Sequence, residues 1–302
     1  MIKQFFISGL VCLLMSAGCQ VGGPNRQSKK DIPNPFAFPK DYSRTELELF
    51  VELDTILKQW QDALTSGLVK EQERIAGQLK DKVNKHFNLV GNTIKSDDRE
   101  LKLIATGAIG FSGKKEAVPF LLSALTDESE LIRTNALLGI GFLGDKETPV
   151  TLLVKLLTDE SDGVRGAAAF AISGVLEFGK PRGTTESLIK ALDDTDASVR
   201  NEVVRALAIC KDPFAVEPLI KKGLSDENDL IVINTAVALG AIKDTRAIEP
   251  LINLLQKENP TLKEASLSAL KYITGADYGD DILKWQEWWN KSKQEPRLGG
   301  DK

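Results

Sequence analysis

Ile132-Arg-Thr-Asn-Ala-Leu-Leu-Gly-Ile-Gly-Phe-Leu-Gly-Asp145 decides the fold, because its pattern returns five more times between residues 101 and 273. The basic residue at its second position falls in a column of Lys102, Arg133, Arg165, Arg200, Val232 and Lys263, with steps of 31, 32, 35, 32 and 31 residues. An aliphatic residue precedes each one: Leu101, Ile132, Val164, Val199, Ile231 and Leu262. A small column follows at Ala108, Gly139, Ala171, Ala206, Ala238 and Ala269, and an aliphatic one directly after it. A third column holds Ser112, Leu143, Val175, Cys210, Ile242 and Ile273. Self-similarity at this period means that each unit buries its apolar face against its neighbours in sequence. The chain is therefore expected to be an all-α solenoid of about six helical-hairpin repeats.

Within a unit, apolar residues at three- and four-residue spacing (Ile132, Ala136, Ile140, Leu143) make the first helix. Second helices are expected over 118–125, 149–157, 185–192, 216–224 and 248–255. Their core column is read as Leu121, Leu153, Leu188, Ile220 and Ile252. Pro149, Pro218 and Pro250 sit near helix starts, where a missing N–H costs little. Asp127, Asp159, Asp194 and Asp226 precede the basic column by about six residues and are expected to cap the following helix. No stretch alternates in the way a strand requires.

These residues resemble the HEAT-like repeats of phycobilisome lyase subunits, through the pattern V-R-x-x-A-x-x-A-L-G-x-x-x-D matched best at 132–145 and 199–212. The resemblance spans about residues 98–275 and implies a helical scaffold. It also implies that second helices line the concave side. It leaves function open, because repeats of this kind serve many unrelated ends.

Residues 1–18 read as a lipoprotein signal peptide: Lys3 is positive, 5–15 is apolar but too short to span a bilayer, and Ser16-Ala17-Gly18-Cys19 resembles a lipobox. Cys19 is the expected lipidation site. Gln20, in place of Asp, directs such a protein to the outer membrane under the enterobacterial sorting rule, facing the periplasm. An ordinary signal peptide cut nearby is the alternative. Residues 19–42, rich in Gly, Pro, Asn and Ser, read as a flexible tether, with Phe36 and Phe38 conspicuous inside Pro33-Asn-Pro-Phe-Ala-Phe-Pro39. Those rings either dock on a partner or tuck against the folded body. Residues 43–95 are expected to form a two-helix hairpin turning at Gly67, one stripe running Leu49–Leu64 and the other from Leu68 to Ile94. The solenoid occupies 96–275. Residues 276–302 form a cap helix and tail, with Trp285, Trp288 and Trp289 on one face.

The chain has 302 residues and a net charge of −4; loss of residues 1–18 removes Lys3 and no acid, leaving −5. That balance offers no electrostatic footprint for nucleic acid. Cys19 and Cys210 would be the only cysteines left, so no intrachain disulfide is expected, and Cys210 reads as a core residue. His86 is the single histidine, and no H-E-x-x-H or C-x-x-C occurs. Neither catalytic residues, metal nor cofactor are therefore expected. Two features depart from what packing requires. The longest step contains a polar loop with Lys180 and Arg182, and Lys155, Lys190 and Lys222 stand at matching places in successive second helices, two residues past the core position. These five are the candidate partner-binding residues. The reading is a non-enzymatic, membrane-tethered scaffold of the bacterial cell envelope that binds a protein or peptide, acidic where the lysines face it. No nucleic acid or small-molecule substrate is expected. Two alternatives stay open: a bilin lyase-like or chromophore-handling protein, and a self-associating structural component.

Overall fold

The computed structural model describes residues 42–176 and 182–294; the expectations for Cys19, the tether and Lys180 lie outside these residues. The described residues hold fifteen α-helices and no strand, so the fold is the all-α solenoid read from the repeats. The chain divides into two compact units between Val175 and Leu176, inside the longest repeat step.

In the first unit, α1 (Arg44–Thr65) and α2 (Val69–Lys85) form the expected hairpin. Gly67 turns it with φ +67°, a left-handed conformation that favours glycine. A capping box at Ser43 and Glu46 starts α1. The second stripe is not one helix. It breaks at His86 (φ −120°, ψ 28°) into α2 and a short α3 (Phe87–Thr93). Leu68, assigned to the apolar stripe, is exposed at the turn, whereas Ile75, Leu79, Val83, Val90 and Ile94 are buried as the periodicity requires. The repeats then follow as α4 (Arg99–Ile109) and α5 (Val118–Ser123), α6 (Glu130–Leu143) and α7 (Val150–Lys155), and α8 (Asp162–Val175). The hairpin packs on this array: α1 against α4, and Asn84 of α2 donates to the Ser112 carbonyl at 3.1 Å.

The second unit contains α9 (Arg182–Ala191), α10 (Ala197–Cys210), α11 (Val216–Lys221), α12 (Asp229–Ile242), α13 (Ile248–Leu254), α14 (Pro260–Thr274) and α15 (Ile282–Gln294). Helix α15 closes the unit by packing on α13. Trp285 is its anchor, fully buried, with Nε1 donating to the Gly279 carbonyl at 2.9 Å and Tyr278 edge-on at 5.0 Å. Trp288 and Trp289 are only half-buried; Trp289 and Lys293 reach Glu249 of α13 instead.

Glycines in and just after the small column explain how the first helices stack. A methyl group on Gly174 would lie 2.4 Å from the Gly141 carbonyl oxygen, and one on Gly110 would lie 2.6 Å from the Gly139 Cα. First helices thus approach backbone to backbone, α6 on α8 in one unit and α10, α12 and α14 in the other. Second helices are short and make no comparable mutual contact among the described residues. The small residues therefore sit on the first helices, which form the tightly packed layer of each unit.

Candidate partner-binding surface

The basic column and the acidic turn column form a latch between repeats. Arg133 donates from Nε and Nη2 to the Asp159 carboxylate at 3.0 and 2.8 Å, while its Nη1 reaches the Asp127 and Glu128 carbonyls at 2.8 and 3.1 Å. Arg200 repeats the arrangement on Asp226 at 2.7 and 3.0 Å and on the carbonyls of Asp194 and Thr195. Lys102 holds Asp127 at 2.9 Å. Each acid also accepts from a backbone N–H two residues on, as Asp226 does from Asn228. The true N-caps stand further along, at Asp98, Asp196, Asn228 and Asn259. The expectation that Asp127, Asp159, Asp194 and Asp226 cap the helices is corrected accordingly. Burial works against the charge of Asp226, but hydrogen bonds from Arg200 and the Asn228 N–H hold its carboxyl below the usual range. The hydrogen bonds that Arg200 donates to Asp226 likewise raise the pKa of Arg200. These groups are occupied in holding the stack, so they are not a binding surface.

The lysines on the second helices do not form one register. The buried core residue of α11 is Leu219, not Ile220, which is half-buried. One extra residue is absorbed where α11 ends: Lys222 leaves helical geometry (φ −106°, ψ −53°), and Gly223 packs so tightly on Thr235 that a methyl group would lie 2.4 Å from Oγ1. Two residues beyond the core therefore stand Lys155, Lys190 and Lys221, all exposed. Lys222 instead pairs with Asp193 at 2.6 Å. Glu186 and Glu217 sit four residues before Lys190 and Lys221, so α9 and α11 each present an acid and a base on this face, whereas Thr151 stands at that place in α7. Arg182 opens α9, and its side chain lies outside the described residues.

The first-helix layer carries two features that the column analysis passed over. In the first unit an aromatic row crosses it: Trp60 stands edge-on to Phe111 at 5.1 Å and to Phe142 at 6.0 Å, Phe111 meets Phe142 at 5.7 Å, and Phe142 meets Phe170 at 5.6 Å. Phe142 is 42% exposed. The signal was the 31-residue step between Phe111 and Phe142. In the second unit, Glu202 is 1% exposed and accepts from Arg205 Nη1 at 3.2 Å; Asn234 Nδ2 donates to Asn201 Oδ1 at 2.7 Å beside them. Burial pushes the Glu202 carboxyl up to about 6 in spite of Arg205. Counterparts of Glu202 elsewhere include Ile104, Ala167 and Ala265, so this charge is peculiar to one repeat.

His86 borders a shallow cleft between α1 and α2 with Lys85, Asp81 and the Lys82–Glu52 ion pair. Among the described residues no group of His, Cys, Asp or Glu is arranged to hold a metal, and no helix is long and apolar enough to cross a membrane. The layered geometry agrees with a family model for HEAT repeats, which matches residues 89–173 and 185–271. The chain belongs to the HEAT-repeat family. An engineered protein is similar over 62% of this chain and 98% of its own, at 20% identity with a TM-score of 0.51. The complex of CpcE and CpcF of phycocyanin lyase from Nostoc sp. PCC7120 is similar at 21% identity over 68% of this chain and 93% of its own, with a TM-score of 0.47. A designed armadillo repeat protein in complex with the peptide (KR)4 is similar at 21% identity over 74% of this chain and all of its own, with a TM-score of 0.46. At these identities the likeness extends to fold alone. No curated protein matches the chain.

Proposed function

We propose that this HEAT-repeat protein is a non-enzymatic scaffold that holds a protein or peptide along its first-helix layer. The observation that carries the proposal is the exposure of Phe142 in the first unit, with half-exposed Val237 on the first-helix layer of the second, on layers whose backbones are otherwise packed shut. Side chains that the stack does not consume are the ones free to meet a partner. On the second helices Glu186 and Glu217 stand beside Lys190 and Lys221, and Lys222 is paired with Asp193, so the acidic-partner reading of Lys155, Lys190 and Lys222 becomes secondary.

The scaffold is tethered to the envelope membrane through lipid on Cys19, after loss of residues 1–18, and sits at the outer membrane facing the periplasm. This part of the proposal rests on the short apolar run and Ser-Ala-Gly-Cys for the anchor and on Gln20 for the outer membrane. Labelling with a palmitate analogue should mark the wild type and spare Cys19→Ala; equal labelling of both sinks it. For the binding face, a crosslinked pull-down from intact envelopes compares Val237→Lys with Lys155→Glu, Lys190→Glu and Lys221→Glu combined. Loss of the main partner only in Val237→Lys, at unchanged helical content, supports the first-helix face. Loss only in the triple reversal transfers the site to the second helices.

A further inference from the structure

We infer that α14 and α15 form a releasable terminal repeat, opening from α12 as one unit because the seam between α12 and α14 lacks the latch that closes the seam before it. The basic column reaches Val232 at this seam. The acid column, six residues before the next basic position, reaches Lys257. Val232 is buried and Lys257 is exposed. In the first unit the same 25-residue separation sets Lys102 on Asp127 at 2.9 Å. The spacing of a latch is therefore kept and its chemistry is gone. What joins the two turns instead is Asn259 Nδ2 donating to Asp229 Oδ2 at 2.9 Å, an exposed hydrogen bond that water replaces at little loss.

The seam is otherwise tightly packed: a methyl group on Gly240 would lie 2.9 Å from the Ala269 Cα. Backbones this close part together or not at all, so the repeat is released whole. Helix α15 travels with α14. Its anchor Trp285 rests on Tyr278 and the Gly279 carbonyl, in the turn that follows α14, and Lys271 holds Asp277 of that turn at 2.7 Å. Toward α13 it offers Trp289 and Lys293 on Glu249, contacts at the surface. Helix α13 also packs on α14, but α9 packs on α10 in the same way, so that contact does not set this seam apart. Exposed residues 256–258 join α13 to α14 and serve as the hinge. The Arg200–Asp226 latch stays closed throughout, which leaves α10 and α12 in place. None of this depends on the first-helix layer binding a partner.

Hydrogen exchange of the full chain, read by mass spectrometry, tests the release. Peptides covering 262–274 and 282–290 should exchange at one shared rate, about tenfold or more faster than peptides covering 199–209 and 231–239. Installing the latch with Val232→Arg and Lys257→Asp together should slow both terminal peptides about tenfold and leave 199–209 unchanged. Val232→Arg alone, facing Lys257, should speed them. The reciprocal pair, Arg200→Val with Asp226→Lys, copies the terminal seam onto the one before it and should bring 231–239 up to the rate of 262–274. That second variant keeps the test decisive if the installed arginine disturbs folding. Protection of 262–274 equal to that of 199–209 overturns the inference, as does exchange of 282–290 apart from 262–274. So does an installed pair no slower than Lys257→Asp alone, or a reciprocal pair that leaves 231–239 protected.

Discussion

Lys211 and Lys243 show how a single residue bears the repeat geometry. Both adopt left-handed backbone at helix C-termini (φ 51° and 62°), where the first unit places Gly113 and Gly144. A side chain there costs about 1 kcal/mol relative to glycine. Lys211→Gly and Lys243→Gly should each stabilise the protein by roughly 0.5–1 kcal/mol, read as additive rises in denaturation midpoint. Cys210 is the converse, a residue made inert by its place: it is 5% exposed, and burial with Asp212 nearby pushes its thiol up to about 12. A polar thiol reagent should label it only after unfolding. Rapid native labelling would mean that α10 is rotated from the orientation described. Arg200 spans two turns, so Arg200→Ala should cost about 2–4 kcal/mol by leaving Asp226 unpaired, against near-zero effects for the exposed Lys155 or Lys190.

Among the elements, the first helices were legible and the second ones only partly so. A first helix carries five fixed columns, and every residue in the small column is buried. Helix α11 spans barely two turns and ends in a 3-10 turn, so one extra residue at Lys222 moves its register without disturbing the columns on either side. Counting residues cannot reveal where such an insertion is absorbed. The break at His86 was hidden likewise, since apolar spacing continues through α2 and α3. The closing helix was foreseen from its three tryptophans, but they divide the work unequally. Trp285→Ala should destabilise the second unit by about 3–5 kcal/mol, the usual range for emptying a fully buried aromatic site. Trp288→Ala should cost far less. Equal effects in thermal melts would contradict that division.

For the whole molecule, pH dependence separates the latches from the buried charge. Glu202 has an ordinary value of 4.5 and a folded value of about 6, so the folded protein binds this proton more tightly than the unfolded chain. Its contribution is complete below about pH 4.5 and is lost as pH rises through 6, a swing of about 2 kcal/mol. Asp127 and Asp226 are lowered and act oppositely: their contribution is present above their ordinary 3.8 and is lost as pH falls through their folded values. Stability should therefore rise from pH 7 to about 5 and fall in stronger acid. Glu202→Gln should abolish the rise and leave the acid limb, as followed by urea midpoints across that range. A wild type whose midpoint falls steadily from pH 7 would show that Arg205 outweighs burial.

The sequence by itself determined the helical class, the repeat period, the buried columns and the hairpin at Gly67, because each is written in spacing that a 3.6-residue helix converts directly into a face. It also supplied the two halves of the latch, Arg133 with Asp159 and Arg200 with Asp226, as separate columns. Only the tertiary structure joined them, because a guanidinium reaches across to the next turn in space and not along its own helix. The tertiary structure likewise decided which layer is tight and which residues remain for a partner. Backbone approach at Gly110, Gly139, Gly141 and Gly174 is a property of two helices together, and no single helix records it.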